Sequence, residues 1–127
     1  MPEISQPKSQ KPSIQTPVPG PRSHAFRKRE DEVLAPGLQN FAILSGIVVE
    51  SARGSAVTDI DGNTFLDIIG GIGVGGLGHS HPKYVDDLTR QLQKASVGSF
   101  TSAVRVELLE KISRHRPTPD VFRTQLY

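Results

Sequence analysis

Cysteine and tryptophan are both absent from this 127-residue chain, and two tyrosines and five phenylalanines are its whole aromatic content. Without cysteine there is no disulfide framework, no thiolate metal site and no thiol nucleophile, and the composition suits a reducing compartment, so a cytoplasmic protein is expected. A large, dense aromatic core is likewise excluded. No apolar run approaches the ~20 residues of a membrane-spanning helix, and the first 21 positions lack the apolar stretch of a signal peptide. A soluble chain with no membrane partner is the expectation. Charge of one sign is not in excess either: the formal net charge is +2, with Lys and Arg interspersed among Asp and Glu. That distribution makes no basic stripe and implies no nucleic-acid partner.

Proline is plentiful but lopsided, with six of the ten falling in positions 1–21 among Ser, Gln and Lys. Such a segment buries too little apolar surface to offset the entropy of ordering it, so residues 1–21 are expected to be a disordered Pro-rich tail. Residues 22–127 remain as one domain or a piece of one, a size whose core is marginal when alone. Ser23 offers an N-cap to a short helix carrying Phe26, Val33 and Leu34 on one face, ended by Pro36 and Gly37. From Ile47 to Ile69 β-branched residues alternate with the turn pairs Arg53-Gly54 and Asp61-Gly62, which predicts a small antiparallel meander. Pro82 suits the first position of a helix, and Val85, Leu88, Leu92 and Ala95 recur at helical spacing. A second helix is predicted from near Ser102, with Val104, Leu108, Leu109 and Ile112 inward and Pro117 as its stop. Phe122 to Tyr127 has the texture of a strand.

Between meander and helix, Gly70 to Gly78 holds six glycines in nine positions, which tertiary contacts must pin. Gly73, Gly75 and Gly78 match the G-x-G-x-x-G spacing that brings backbone amides to a dinucleotide pyrophosphate. That unit needs a parallel crossover and a third glycine packed inside the helix, whereas antiparallel hairpins precede this loop and Pro82 marks the helix start four residues beyond Gly78. A dinucleotide-binding domain therefore stands as the minor alternative. His79 and His81 could face one side of an extended segment as two metal ligands, but no third ligand is evident. Loop histidines bonded to backbone account for them, and no metal is expected.

The stretch from Val57 to Pro82, VTDIDGNTFLDIIGGIGVGGLGHSHP, resembles the early signature of the class III aminotransferases: D-x-x-G-x-x-(F/Y)-(L/I)-D, a glycine-containing loop, then G-H-x-H-P opening a helix. The likeness runs on through Ser99-Phe100 and the Leu108–Ile112 helix to cover roughly residues 22–127, with 4-aminobutyrate and ω-amino-acid members looking most similar. It implies an α/β protein of fold type I, of which this chain supplies the N-terminal piece: short helix, small antiparallel sheet, Gly-rich loop and two helices. It implies pyridoxal 5'-phosphate as cofactor, a small-molecule amino donor and 2-oxo acid acceptor as partners, and a homodimer. The family's phosphate-binding turn and Schiff-base lysine lie downstream, and Lys83, Lys94 and Lys111 match no catalytic motif. No catalytic or cofactor-binding residue is therefore nominated, and the 127 residues as given are expected to be inactive. A non-enzymatic or truncated interaction module is the other alternative. What the resemblance does place here is pocket wall: Ile72 in the loop before G-H-x-H-P, and Phe100 with Thr101 in a second lining stretch.

Overall fold

The computed structural model describes residues 10–35, 37, 40–96, 100–115, 117–118 and 123–124. They fall into two compact units, residues 1–88 and 89–127.

The first unit is built on a three-stranded antiparallel sheet of β1 (Val49–Arg53), β2 (Ala56–Asp59) and β3 (Thr64–Leu66), in the order β1-β2-β3. The predicted meander is therefore present. Arg53 pairs with Ala56 across a two-residue loop, where Gly54 has a φ of +58, a left-handed value at which glycine avoids the Cβ penalty. The second hairpin is longer than a two-residue turn. Thr58 pairs with Thr64, and within the loop Gly62 takes the positive φ (+88) while Gly62 N donates back to Asp59 O at 3.1 Å. Asp61 keeps a negative φ, which frees its side chain for a different task.

That task is to cap α1 (Pro21–Asp31) from 38 residues away. Asp61 Oδ1 accepts from Arg22 N (2.8 Å), and Oδ2 accepts from Ser23 N (2.8 Å) and Ser23 Oγ (2.6 Å). Ser23 is thus not the N-cap that its sequence context suggests. Gly20 stands at that position with no side chain to offer, and Pro21 begins the helix. A carboxylate at a helix N-terminus satisfies orphan amides and meets the positive end of the dipole. Desolvation works to raise the Asp61 pKa, but the Ser23 and Arg22 hydrogen bonds and the Arg22 charge together hold it below the ordinary value of 3.8. The helix is not amphipathic: Ser23 is its buried residue, Phe26 is exposed under the Arg29 guanidinium at 5.2 Å, and Val33 and Leu34 lie beyond its end.

Within the segment expected to be a disordered tail, residues 13–16 are tied to the β2–β3 hairpin. Ser13 and Thr64 exchange backbone bonds of 2.9 and 2.7 Å, and Gln15 N and Thr16 N both donate to Asn63 Oδ1 at 2.7 and 2.9 Å. Composition foretold little apolar burial and missed this, because the segment is held by hydrogen bonds, to the Thr64 backbone and to the Asn63 amide side chain. The core is correspondingly small and polar. Ala56 and Ile60 are its buried apolar residues, while Asn63 (0% exposed), Asp59 (1%) and Ser23 (0%) are the largest fully buried side chains.

After a short α2 (Asn40–Ser45), the sheet and the glycine segment, α4 (Pro82–Lys94) starts at Pro82 as predicted, with α3 (Gly70–Gly73) a single turn before it. Its Val85, Leu88 and Leu92 are exposed. In the second unit α5 (Ala103–Ser113) begins behind Ser102, whose side chain accepts from Arg105 N, and ends before Pro117. The strand expected from Phe122 to Tyr127 lies outside the described residues, apart from Arg123 and Thr124, which have no regular structure.

A Cβ added at Gly20 would stand 2.6 Å from the Asp61 Cβ and displace the capping carboxylate. Gly20→Ala is expected to cost about 1–3 kcal/mol, the range for forcing atoms into an occupied space. Denaturant unfolding, with faster amide exchange at Arg22 and Ser23, checks it.

Candidate substrate-pocket loop

Residues 67–82 form the segment to which the sequence assigns a role, and its path is set by two polar side chains at its ends. Asp67 follows β3. Its Oδ1 accepts from Ile69 N (2.9 Å) and Gly70 N (2.8 Å), and its Oδ2 accepts from His79 Nε2 at 2.7 Å. Carboxylate and imidazole therefore close the loop like a clasp. The Gly70 amide, then His79, then the Ile69 amide hold Asp67 ionised and below the ordinary carboxylate value of 3.8, against a smaller opposing desolvation. Asp67 N also donates to Ser55 O at 2.8 Å, tying the clasp to the β1–β2 turn.

The far end of the loop lies directly on that turn. His79 and Gly54 exchange backbone bonds of 2.8 and 2.9 Å, and Ser80 Oγ donates to Ala52 O at 2.8 Å. Gly78 has φ +73, and a Cβ there would lie 3.0 Å from Gly54 O. This third glycine of the G-x-G-x-x-G match thus lets two backbones touch, and the helix starts only at Pro82. Gly75 is likewise confined by its own loop, since its N donates to Gly70 O at 2.7 Å. The geometry required for a pyrophosphate is not the one found. His79 bonds a carboxylate rather than backbone, and His81 Nδ1 is buried without a partner among the described residues. No group of three metal-capable side chains occurs among the described residues.

Inside the clasp, Gly70, Gly71, Ile72 and Gly73 take φ values of 54, 63, 66 and 81 in succession, a left-handed turn closed by Gly73 N donating to Ile69 O at 3.0 Å. Glycine occupies three of the four positions, which makes the turn tolerable. Ile72 is the exception: a β-branched residue in the left-handed region costs roughly 1–2 kcal/mol. It is not held there by burial, being 74% exposed, and Ile68, Ile69, Val74 and Leu77 beside it are exposed as well. No charged side chain lies between Asp67 and His79, so the wall this loop can offer is wholly uncharged.

Of the predicted lining residues, Ile72 belongs to the first unit, and Phe100 (82% exposed) and Thr101 to the second, so no single unit gathers the three. A separate cavity of about 600 Å³ opens beside α1 and α2, lined among others by Pro19, His24, Arg27, Leu34, Ile43 and Leu44; none of the three predicted residues borders it. Sequence reading missed Asp67, Asp61 and Asn63 as positioning groups. The signal for Asp67 was its place, with His79, at the two ends of a run otherwise free of charge.

Comparison with solved structures defines the class. The chain is similar to a transaminase solved with PLP bound (26% identity, TM-score 0.67, 80% of this chain and 24% of that one). It is also similar to acetylornithine aminotransferase from Elizabethkingia anophelis (26% identity, TM-score 0.62, 72% and 22%). The fold is therefore that of the N-terminal part of a fold type I aminotransferase. More particularly, the aminotransferase class-III model matches residues 39–125, and the chain belongs to that family. Among curated relatives, acetylornithine aminotransferase of Mycobacterium leprae is 50% identical over 46 residues, 36% of this chain and 11% of its own length. The alanine/serine racemase of Pyrococcus horikoshii is 30% identical over 109 residues, 84% of this chain and 23% of its own length. Glutamate-1-semialdehyde 2,1-aminomutase of Rhodopirellula baltica is 30% identical over 117 residues, 87% and 27%. The chain thus spans about a tenth to a quarter of the length of these relatives.

Lys83 pairs with Asp87 on the surface of α4 at 2.9 Å, and Lys94 and Lys111 sit in the last turns of α4 and α5.

Three outcomes are expected of this loop. Ile72→Gly should stabilise the chain by about 0.5–1 kcal/mol, since the relief of left-handed strain exceeds the glycine entropy cost and little burial is lost. Gly78→Ala should destabilise by about 2 kcal/mol or more, because a left-handed φ and a backbone contact both oppose the methyl. Because the Asp67 pKa is lowered on folding, its stabilisation is complete above the ordinary value of 3.8 and is lost as pH falls below that through the folded value. Amide exchange at Gly70 followed between pH 5 and 2 should accelerate, after correction for intrinsic rates, only below about pH 4.

Proposed function

We propose that this chain is the N-terminal segment of an enzyme that transfers an amino group from an amino acid or ω-amine to a 2-oxo acid using pyridoxal 5'-phosphate. The family match over residues 39–125 carries the reading. When bound, the cofactor supplies the electron sink for cleaving a bond at the carbon bearing the amine. The contribution of these residues is to shape the pocket. Ile72, held outward on its left-handed turn, forms an uncharged wall that accepts a carbon chain more readily than a second carboxylate. Phe100 and Thr101 form a second lining stretch, acting across the interface of a homodimer. The cysteine-free composition suits the cytoplasm.

A second reading has a specific observation behind it, because the two relatives aligned over 84% and 87% of this chain are named as a racemase and an aminomutase. One assay separates the two. The full-length protein carrying this segment is supplied with pyridoxal phosphate and an amino donor, with and without a 2-oxo acid. Consumption of donor strictly dependent on the 2-oxo acid supports transamination; inversion of the donor or internal migration of its amine without any acceptor rejects it. Under the transaminase reading, Ile72→Asp should raise KM for an ω-amine with an uncharged carbon chain at least tenfold, an unpaired charge against apolar substrate costing about 1.4 kcal/mol or more.

A further inference from the structure

Residues 10–16 and the outer edge of β3 meet in an arrangement that the pocket reading does not use. β3 is an edge strand, and it opens the run Thr64-Phe65-Leu66-Asp67-Ile68-Ile69, which is rich in β-formers and has no proline or glycine. Such an edge is a template for pairing with another strand. The outward N–H and C=O of Thr64 are both occupied by Ser13, in bonds of 2.7 and 2.9 Å. Leu66, two residues on, is 56% exposed.

What holds Ser13 there is a single buried amide. Asn63 Oδ1 accepts from Gln15 N (2.7 Å) and Thr16 N (2.9 Å), and Asn63 Nδ2 donates to Thr16 Oγ1 (2.9 Å) and to Asp59 Oδ2 (2.9 Å). Asp59 Oδ1 in turn accepts from Asp61 N (3.0 Å) and Asn63 N (2.8 Å), which fixes the orientation of both side chains. All four hydrogen-bonding positions of the Asn63 amide are thus filled, three of them by the N-terminal segment or its hydroxyl. The α1 cap at Asp61 is a separate anchor, so residues 10–16 can leave the edge while α1 stays.

We propose that residues 10–16 are an edge guard, clasped by Asn63, that keeps β3 from pairing antiparallel with β3 of a second copy of this chain. Asn63→Asp tests it, because a second carboxylate then faces Asp59 where the Nδ2 donor was. The expected result is amide exchange at Gln15 and Thr16 at least tenfold faster and a concentration-dependent dimer in sedimentation equilibrium beyond any self-association of the parent chain. The exchanged pair Asp59→Asn with Asn63→Asp restores a donor opposite an acceptor and should reverse both effects. Adding Leu66→Lys to Asn63→Asp, a charge on the edge, should abolish the dimer and leave the exchange fast. Where Asn63→Asp fails to fold, Ser13→Pro removes the guard's own N–H donor without touching the clasp and must produce the same dimer. Unchanged exchange in Asn63→Asp overturns the clasp. Fast exchange without new association, or a dimer that survives Leu66→Lys, overturns the guard.

Discussion

The contact on which the first unit depends is the buried pair Asp59–Asn63 at the β2–β3 loop. In a core whose largest fully buried side chains are polar, apolar burial is too small to dictate one arrangement. Geometry comes from hydrogen bonding instead: Asp59 takes two loop amides and one Asn63 donor, and Asn63 takes two amides and a hydroxyl from the N-terminal segment. A fully satisfied buried polar network specifies structure strongly, since any partner left unpaired in that setting is costly. The same loop then presents Asp61 to α1. One five-residue turn therefore sets the register of β3, the course of residues 13–16 and the start of the first helix.

The glycine loop is organised by the same logic further along the chain. Asp67 and His79 close it, the Gly54–His79 backbone pair docks it on the β1–β2 turn, and Gly78 removes the side chain that would keep those backbones apart. The signature that relates this chain to the class III aminotransferases is in this structure a set of joints: Asp59 and Gly62 build the hairpin, Asp67 and His79 the clasp, and Pro82 the helix start. Between the joints sits the strained Ile72, exposed and uncharged. Strain of this kind persists only when the surrounding contacts over-determine it, and the two ends of this loop supply such contacts.

Much of this is legible in the sequence. Alternating β-branched residues broken at Gly54 and Gly62 are enough for the meander, because side-chain period and turn chemistry are local. Pro82 and Ser102 likewise mark their helices through positions that are local in sequence. The family was legible because an ordered set of residues, from Asp59 to Pro82, matched in sequence and spacing. The contacts of residues 13–16 were not legible, because composition reports how much apolar surface a segment can bury and says nothing of an amide 47 residues away that binds its backbone. Ser23 was misread as a cap for the same reason, since its true role depends on Asp61.

The sequence by itself determined the element types, the turn positions and the family, each resting on interactions between residues a few positions apart. Tertiary structure alone decided which carboxylate caps α1, that residues 13–16 are held at the sheet edge, that Gly78 is a backbone contact rather than a phosphate cradle, and that Ile72 is left-handed. Each of these joins groups distant along the chain or depends on a dihedral angle that residue type does not prescribe.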